Sequence, residues 1–296
     1  MERKRTILSY MPEALQNIFE ELPPVFFDEI QEIRLRVQKP VVIRRAGAET
    51  IIDYCPAEGD IAALMEMLSD YSLYAYEEEL RSGYLTLPGG HRVGVTGRAV
   101  VEGGMVKTLK HIGAVNIRIA HEIKGCANGV MGHILEEGAV CHSMIISPPG
   151  CGKTTLLRDI VRQLSNGGKT VGVVDERSEI AGCYRGIAQN DLGPRTDVLD
   201  GCPKEEGMRM LLRSMGPQVI AVDEIGRQEE LGTIEQIINS GVKLICTVHG
   251  KSLDELRRKP VLSTILQKKI FERFIVLDKP GKIAGIYNEG GVAYDT

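Results

Sequence analysis

Hydrophobic and polar positions change their rhythm near residue 125. Ahead of it, apolar residues come in brief runs. Arg34-Leu35-Arg36-Val37, Val41-Val42-Ile43 and Ile51-Ile52 predict short strands, broken at Lys39-Pro40 and Ala46-Gly47. Ile61, Leu64, Met65 and Leu68 recur at helical spacing, with Asp60 placed to cap an amphipathic helix. Pro88-Gly89-Gly90 and Glu102-Gly103-Gly104 predict hairpin turns between strands at Tyr84–Leu87, Arg92–Val100 and Met105–Leu109, and Asn116–Ile119 predicts one more. Residues 1–125 are thus expected to form a small mixed α/β domain with an antiparallel sheet.

Beyond Gly125, short β-branched runs at Met144–Ile146, Val171–Val174, Val219–Val222, Leu244–Val248 and Phe274–Leu277 are separated by long connections. Helical patterns fall between them, for example Thr154–Leu164 and Ile234–Ile238. Strand and helix alternating at this spacing predict a mainly parallel sheet with helices on both faces over residues 126–296.

Composition narrows the class. The chain of 296 residues is 43% hydrophobic and carries 36 basic against 40 acidic groups, a formal charge of −4 that argues against a nucleic-acid coat. Seven scattered cysteines show no C-x-x-C and no zinc-finger spacing. The charged start Met1-Glu2-Arg3-Lys4-Arg5 leads into no secretory apolar region, because Glu13, Glu20 and Glu21 interrupt it. No apolar run approaches the roughly 18 residues of a membrane span. An intracellular, reduced protein is expected, serving a membrane only from its surface.

The sharpest motif is Ser147-Pro148-Pro149-Gly150-Cys151-Gly152-Lys153-Thr154-Thr155, set between an apolar strand and an apolar helix. That is the context of a phosphate-binding loop. Its glycines let backbone N–H groups converge on phosphate oxygens, and the helix adds its positive end. Lys153 is expected to reach the β and γ phosphates of a bound nucleotide, and the Thr154 hydroxyl to bind Mg²⁺. Ser147 stands where such loops usually begin with glycine, a position Ser tolerates if its φ stays negative.

Val219–Val222 ends in Asp223-Glu224. On a strand parallel to Met144–Ile146, Asp223 would hold Mg²⁺ through water and Glu224 would orient or deprotonate an attacking water. Asp175-Glu176-Arg177-Ser178-Glu179 closes the preceding strand at the edge where open α/β sheets bind ligands, although such a run also suits a solvated turn. Thr247-Val248-His249-Gly250 would bring His249 near the γ-phosphate as a sensor.

These four elements, in this order, resemble the P-loop ATPases of type II and type IV secretion systems and pilus motors. The stretch Glu32–Arg36 followed by Pro40-Val41-Val42 is similar to the start of that family's amino-terminal domain. The phrases Glu32–Arg36, Pro148–Leu157, Val174–Gly182 and Val222–Gly226 resemble, more closely, its sporulation branch in endospore-forming bacteria. The resemblance implies a RecA-like core over residues 126–296 behind a regulatory and assembly domain over residues 1–125. It also implies a ring-shaped homo-oligomer, a hexamer, that hydrolyses ATP on the cytoplasmic, mother-cell side. Such a ring would energise membrane-embedded channel proteins joining mother cell and forespore, from the membrane's periphery and without nucleic acid. Under it, Glu224, Lys153, Glu176 and His249 are the catalytic candidates. The broader family commonly has Gly-Glu where this chain has Asp223-Glu224, and tends to carry Pro where this chain has Arg177. Arg92, Arg98 and Arg118 are candidates for the arginines that reach the nucleotide in that family. A small-molecule P-loop kinase and a DNA-stimulated RecA-like ATPase remain as alternatives.

Overall fold

The computed structural model describes residues 7–294 apart from 24, 25, 27, 28, 46, 70–80 and 82. The charged start and the expected break at Ala46 lie outside the described residues. The chain divides into two compact units, Met1–His121 and Glu122–Thr296.

The first unit contains α1 (Glu13–Glu20), β1 (Ile30–Arg36), β2 (Lys39–Arg45), β3 (Ala48–Ile52), α2 (Glu58–Leu68), β4 (Tyr84–Leu87), β5 (His91–Glu102) and β6 (Met105–Arg118). The strands form one antiparallel sheet in the order β3-β2-β1-β6-β5-β4. Alternation places Ile33, Leu35, Val41, Ile43, Val93, Val95, Val115 and Ile117 on one buried face, against Leu15, Phe19, Ile61 and Leu64 of the helices. Three expectations are corrected. Lys39-Pro40 opens β2 rather than breaking a strand, because the turn falls at Gln38, whose φ is 57°. Met105–Leu109 and Asn116–Arg118 belong to one long strand, β6, paired with β5 apart from two bulges, and Ile119 lies just past its end. Asp60 is not the residue that begins α2. It lies inside the first turn, and its Oδ2 accepts the Ala57 N–H at 2.8 Å, so it caps the helix from within.

The second unit runs α3 (Asn128–Ile134), β7 (Leu135–Glu136), β8 (Ala139–Val140), β9 (Ser143–Ser147), α4 (Lys153–Asn166), β10 (Val171–Asp175), β11 (Thr196–Asp200), α5 (Lys204–Ser214) and β12 (Val219–Val222). It continues through α6 (Glu230–Asn239), β13 (Lys243–His249), α7 (Leu253–Leu256), α8 (Pro260–Gln267), β14 (Arg273–Lys279) and β15 (Lys282–Asn288). The main sheet is ordered β11-β10-β12-β13-β9-β14-β15, parallel except for β15. Its central strands are buried on both faces, and period-two alternation sorts their side chains into two cores. Ile145, Val173, Ala221, Ile245 and Ile275 pack with α4. Met144, Ile146, Val174, Val222, Cys246 and Val276 pack with α5, α6 and α8. The result is a three-layer α/β sandwich whose parallel strands all end at one edge.

Candidate nucleotide site

The phosphate loop follows β9 directly. Ser147 is fully buried, keeps a negative φ, and donates from Oγ to the Pro148 carbonyl at 2.7 Å. Gly150 and Gly152 take φ of 76° and 90°, the left-handed geometry that folds the loop back toward its own helix. The β14–β15 turn braces it from outside. Gly281 N–H donates to the Cys151 carbonyl at 3.2 Å, and Cys151 Sγ lies 3.7 Å from the Asp278 carbonyl. Pro148, Pro149 and Thr155 complete the loop and the first turn of α4. All seven cysteines are free thiols, and burial pushes those of Cys126 and Cys183 up to about 11 and about 12.

β12 and β13 deliver the acids and the histidine to this loop. Thr154 Oγ1 donates to Asp223 Oδ2 at 2.7 Å, and Thr247 Oγ1 donates to the other oxygen, Asp223 Oδ1. Thr247 Oγ1 also accepts the Glu224 N–H at 2.9 Å. Glu224 itself is held at φ 52°, a region that non-glycine residues seldom occupy. Its Oε1 lies 2.7 Å from Lys153 Nζ and 2.9 Å from His249 Nε2, while Oε2 is 3.4 Å from Arg177. Burial pushes the Glu224 carboxyl up, but Lys153, His249 and Arg177 together hold it below the ordinary carboxylate range. Glu224 is therefore ionised at neutral pH. Lys153 is only 8% exposed, and in this arrangement its charge is matched by Glu224.

The acidic run after β10 is a built loop. Asp175, 2% exposed, accepts the N–H groups of Glu179, Ile180 and Ala181 at 2.8–3.0 Å. Burial outweighs those bonds and raises its pKa. Arg158, on α4, donates to the carbonyls of Ile180 and Glu179 at 2.7 and 2.8 Å, tying this loop to the phosphate-loop helix. Glu176 faces inward to Lys204 at 3.3 Å and Arg227 at 3.4 Å. A small cleft is lined by Asp175, Glu176, Arg177, Glu179, Lys204, Asp223 and Glu224.

The structure thus brings Lys153, Thr154, Asp223, Glu224 and His249 together, with Glu176 joined to them through Lys204. Arg92, Arg98 and Arg118 lie on β5 and β6 of the first unit, where Arg92 stacks 3.6 Å over the Tyr84 ring. Sequence reasoning passed over Lys204 and Arg158, and gave Thr247 no role of its own within the histidine motif. Lys204 did leave a signal, a basic residue in the first helical turn where the dipole disfavours it. Thr154 and Asp223 supply a hydroxyl and a carboxylate, the hard oxygen donors Mg²⁺ accepts alongside phosphate. The residues present fit that ion.

A family model described as sporulation stage III, protein AA matches residues 1–294. Stage III sporulation protein AA of Bacillus subtilis (strain 168) is 42% identical over 293 residues, covering 96% of this chain and 95% of its own length. Among solved structures, the ATPase DotB of Legionella pneumophila shares 18% identity with a TM-score of 0.58, over 86% of this chain and 76% of that one. The pilus retraction motor PilT, solved with ADP bound, shares 16% identity with a TM-score of 0.55, over 86% and 78%. At these identities the likeness speaks for the fold alone, a RecA-like one shared with these two ATPases.

Proposed function

The chain belongs to the sporulation stage III protein AA family, and from that premise we propose that it is a Mg²⁺-dependent ATPase. In this reading it acts as a homo-oligomeric ring, a hexamer, at the mother-cell face of a membrane-spanning sporulation complex. One observation supports the enzymatic part above others. Lys153 and Thr154 meet Glu224 and Asp223 at 2.7 Å each, although the two pairs come from strands with a third between them.

In this proposal the N–H groups of Gly150–Thr155 and the Lys153 ammonium bind the phosphates. Thr154 and Asp223 would hold Mg²⁺, which would supply neutralisation of the phosphate charge. Glu224 orients the attacking water. While paired with Lys153 its basicity is depressed, so it becomes the stronger base as Lys153 turns toward the phosphates. His249, 2.9 Å from Glu224, is placed to register that exchange of partners. Glu176 fixes the far wall through Arg227 and Lys204.

The test is phosphate release by the full chain with Mg²⁺ and ATP, beside equilibrium binding of a fluorescent ATP analogue. Lys153→Ala is expected to lose binding. Glu224→Gln is expected to retain binding and lose turnover by about 10²–10⁴-fold, the range of a positioned acid–base group. Turnover unchanged by Glu224→Gln would remove Glu224 from the water-orienting role, and turnover dependent on an added phosphoryl acceptor would replace the ATPase reading with that of a kinase.

A further inference from the structure

Lys204 is 8% exposed and stands at the first turn of α5, where both burial and the helix dipole oppose a positive charge. Two negative residues of the same turn, Glu205 and Glu206, are not what hold it. Its Nζ instead donates to the Glu224 main-chain carbonyl at 2.7 Å. It also lies 3.3 Å from Glu176 Oε2 and 3.8 Å from Glu230 Oε1. Both of those oxygens are buried and make no hydrogen bond among the described residues, so the ammonium charge is what compensates them. Glu230, for its part, accepts the Gly226 and Arg227 N–H groups through Oε2 at 2.7 and 2.9 Å. Lys204 therefore ties together the end of β10, the turn after β12 and the start of α6.

The reach of Lys204 depends on helix packing. Gly207, one turn further along α5, lies so close to β10 that an added Cβ would meet Val174 Cγ1 at 2.5 Å. Without a side chain there, α5 settles onto the sheet and its first turn is carried over the strand ends. Glu224 is the beneficiary. Its φ of 52° is unfavourable for a residue with a Cβ, and it is fixed at both main-chain ends, by Thr247 at N–H and by Lys204 at the carbonyl.

We propose that Lys204 is a positioning residue that holds the Glu224 backbone in its left-handed conformation and so aims its carboxylate into the nucleotide site. The consequence for turnover rests on the ATPase reading above, whereas the consequence for the backbone does not. Two measurements on the full chain separate them. Amide hydrogen exchange compares the wild type with Lys204→Met. Exchange at residues 224–227 is expected to rise about tenfold or more in the variant, with the amides of β9 and β13 unchanged. Turnover is expected to fall about 100-fold, as for a sub-ångström to ångström misplacement, with ATP-analogue affinity within about threefold of the wild type. Lys204→Arg keeps the charge and the N–H donors, and is expected to hold exchange near the wild type and recover at least about a tenth of its turnover. Wild-type exchange at 224–227 in Lys204→Met would overturn the proposal, as would acceleration spread evenly over the whole sheet. So would unchanged turnover in an active enzyme. If the wild type binds no ATP, the ATPase reading fails while the exchange comparison still decides the role of Lys204.

Discussion

His142 sits where β9 begins, and its ring is kept neutral by what it must accept. Nδ1 receives the Leu244 N–H at 3.1 Å, so a proton there would set two donors against each other. The same residue's carbonyl accepts from Glu272 and Arg273, and its N–H donates to Glu272 Oε2 at 2.7 Å. It thereby stitches β13 and β14 to the phosphate-loop strand between them. Burial, then the nearby Lys243 charge, depress its pKa from 6.5 to about 4, with Glu272 opposing. The unfolded chain binds this proton more tightly, so stability is complete above about pH 6.5 and is lost as pH falls toward 4. At 1.36 kcal/mol for each tenfold change in proton affinity, the full effect is roughly 3 kcal/mol. His142→Asn offers an acceptor of similar reach without the titration. Urea unfolding at pH 7.5 and 4.5 should show the wild type losing about 2.5 kcal/mol more than the variant between the two conditions. An equal loss in both proteins would mean that His142 is protonated in the fold without penalty.

Among the elements, α5 packs on β10 with little slack at Gly207. Gly207→Ala pushes a methyl group against Val174, and overpacking of this kind costs about 1–3 kcal/mol. Val174→Ala opens the same space from the other side and, alone, leaves a cavity in that core. The double variant should be more stable than the sum of the two losses by about 1 kcal/mol, read from chemical denaturation midpoints. Simple additivity would show that α5 moves freely away from the sheet. This contact also marks where the sequence stopped being legible. Central strands announced themselves because burial on both faces demands unbroken apolar runs such as Val219–Val222. The edge strands β11 and β15 did not, since Thr196–Asp200 mixes acids with Val198 and Leu199, and Lys282–Asn288 has no β-branched run. The helix α5 hid behind its glycine, a poor helix former retained for close approach. In the site, Lys153, Thr154, Asp223 and Glu224 were legible from local motifs. Lys204 and Arg158 were not, because their partners are carbonyls and carboxylates 20 or more residues away, and nothing in local spacing encodes such a pairing.

At the scale of the whole molecule, two units each close their own core. The first gathers residues from Ile7 to Ile119, and the second builds its two cores from Ala127 onward. The nucleotide site proposed here lies wholly on the second, at the ends of β9, β10, β12 and β13. No helix of the described residues is long and apolar enough to cross a membrane. Repeated copies closing into a ring are the economical form of association, because a heterologous contact that closes satisfies every interface at once. The state of Glu224 makes this testable. In the wild type, hydrolysis would empty the site continually and let Lys153 return to Glu224. Glu224→Gln removes that charged competitor and stops turnover, so the nucleotide-loaded form should persist. Light scattering on the full chain should then show growth from the 32.5 kDa monomer to about six times that mass when ATP and Mg²⁺ are added. The increase should be greater and longer-lived for Glu224→Gln than for the wild type, and absent for Lys153→Ala. A monomer under every condition, with ATP binding demonstrated on the same sample, would rule out a ring that assembles by itself. On the proposed function, assembly would then require a partner at the membrane, and reconstitution with such a partner becomes the condition for seeing turnover.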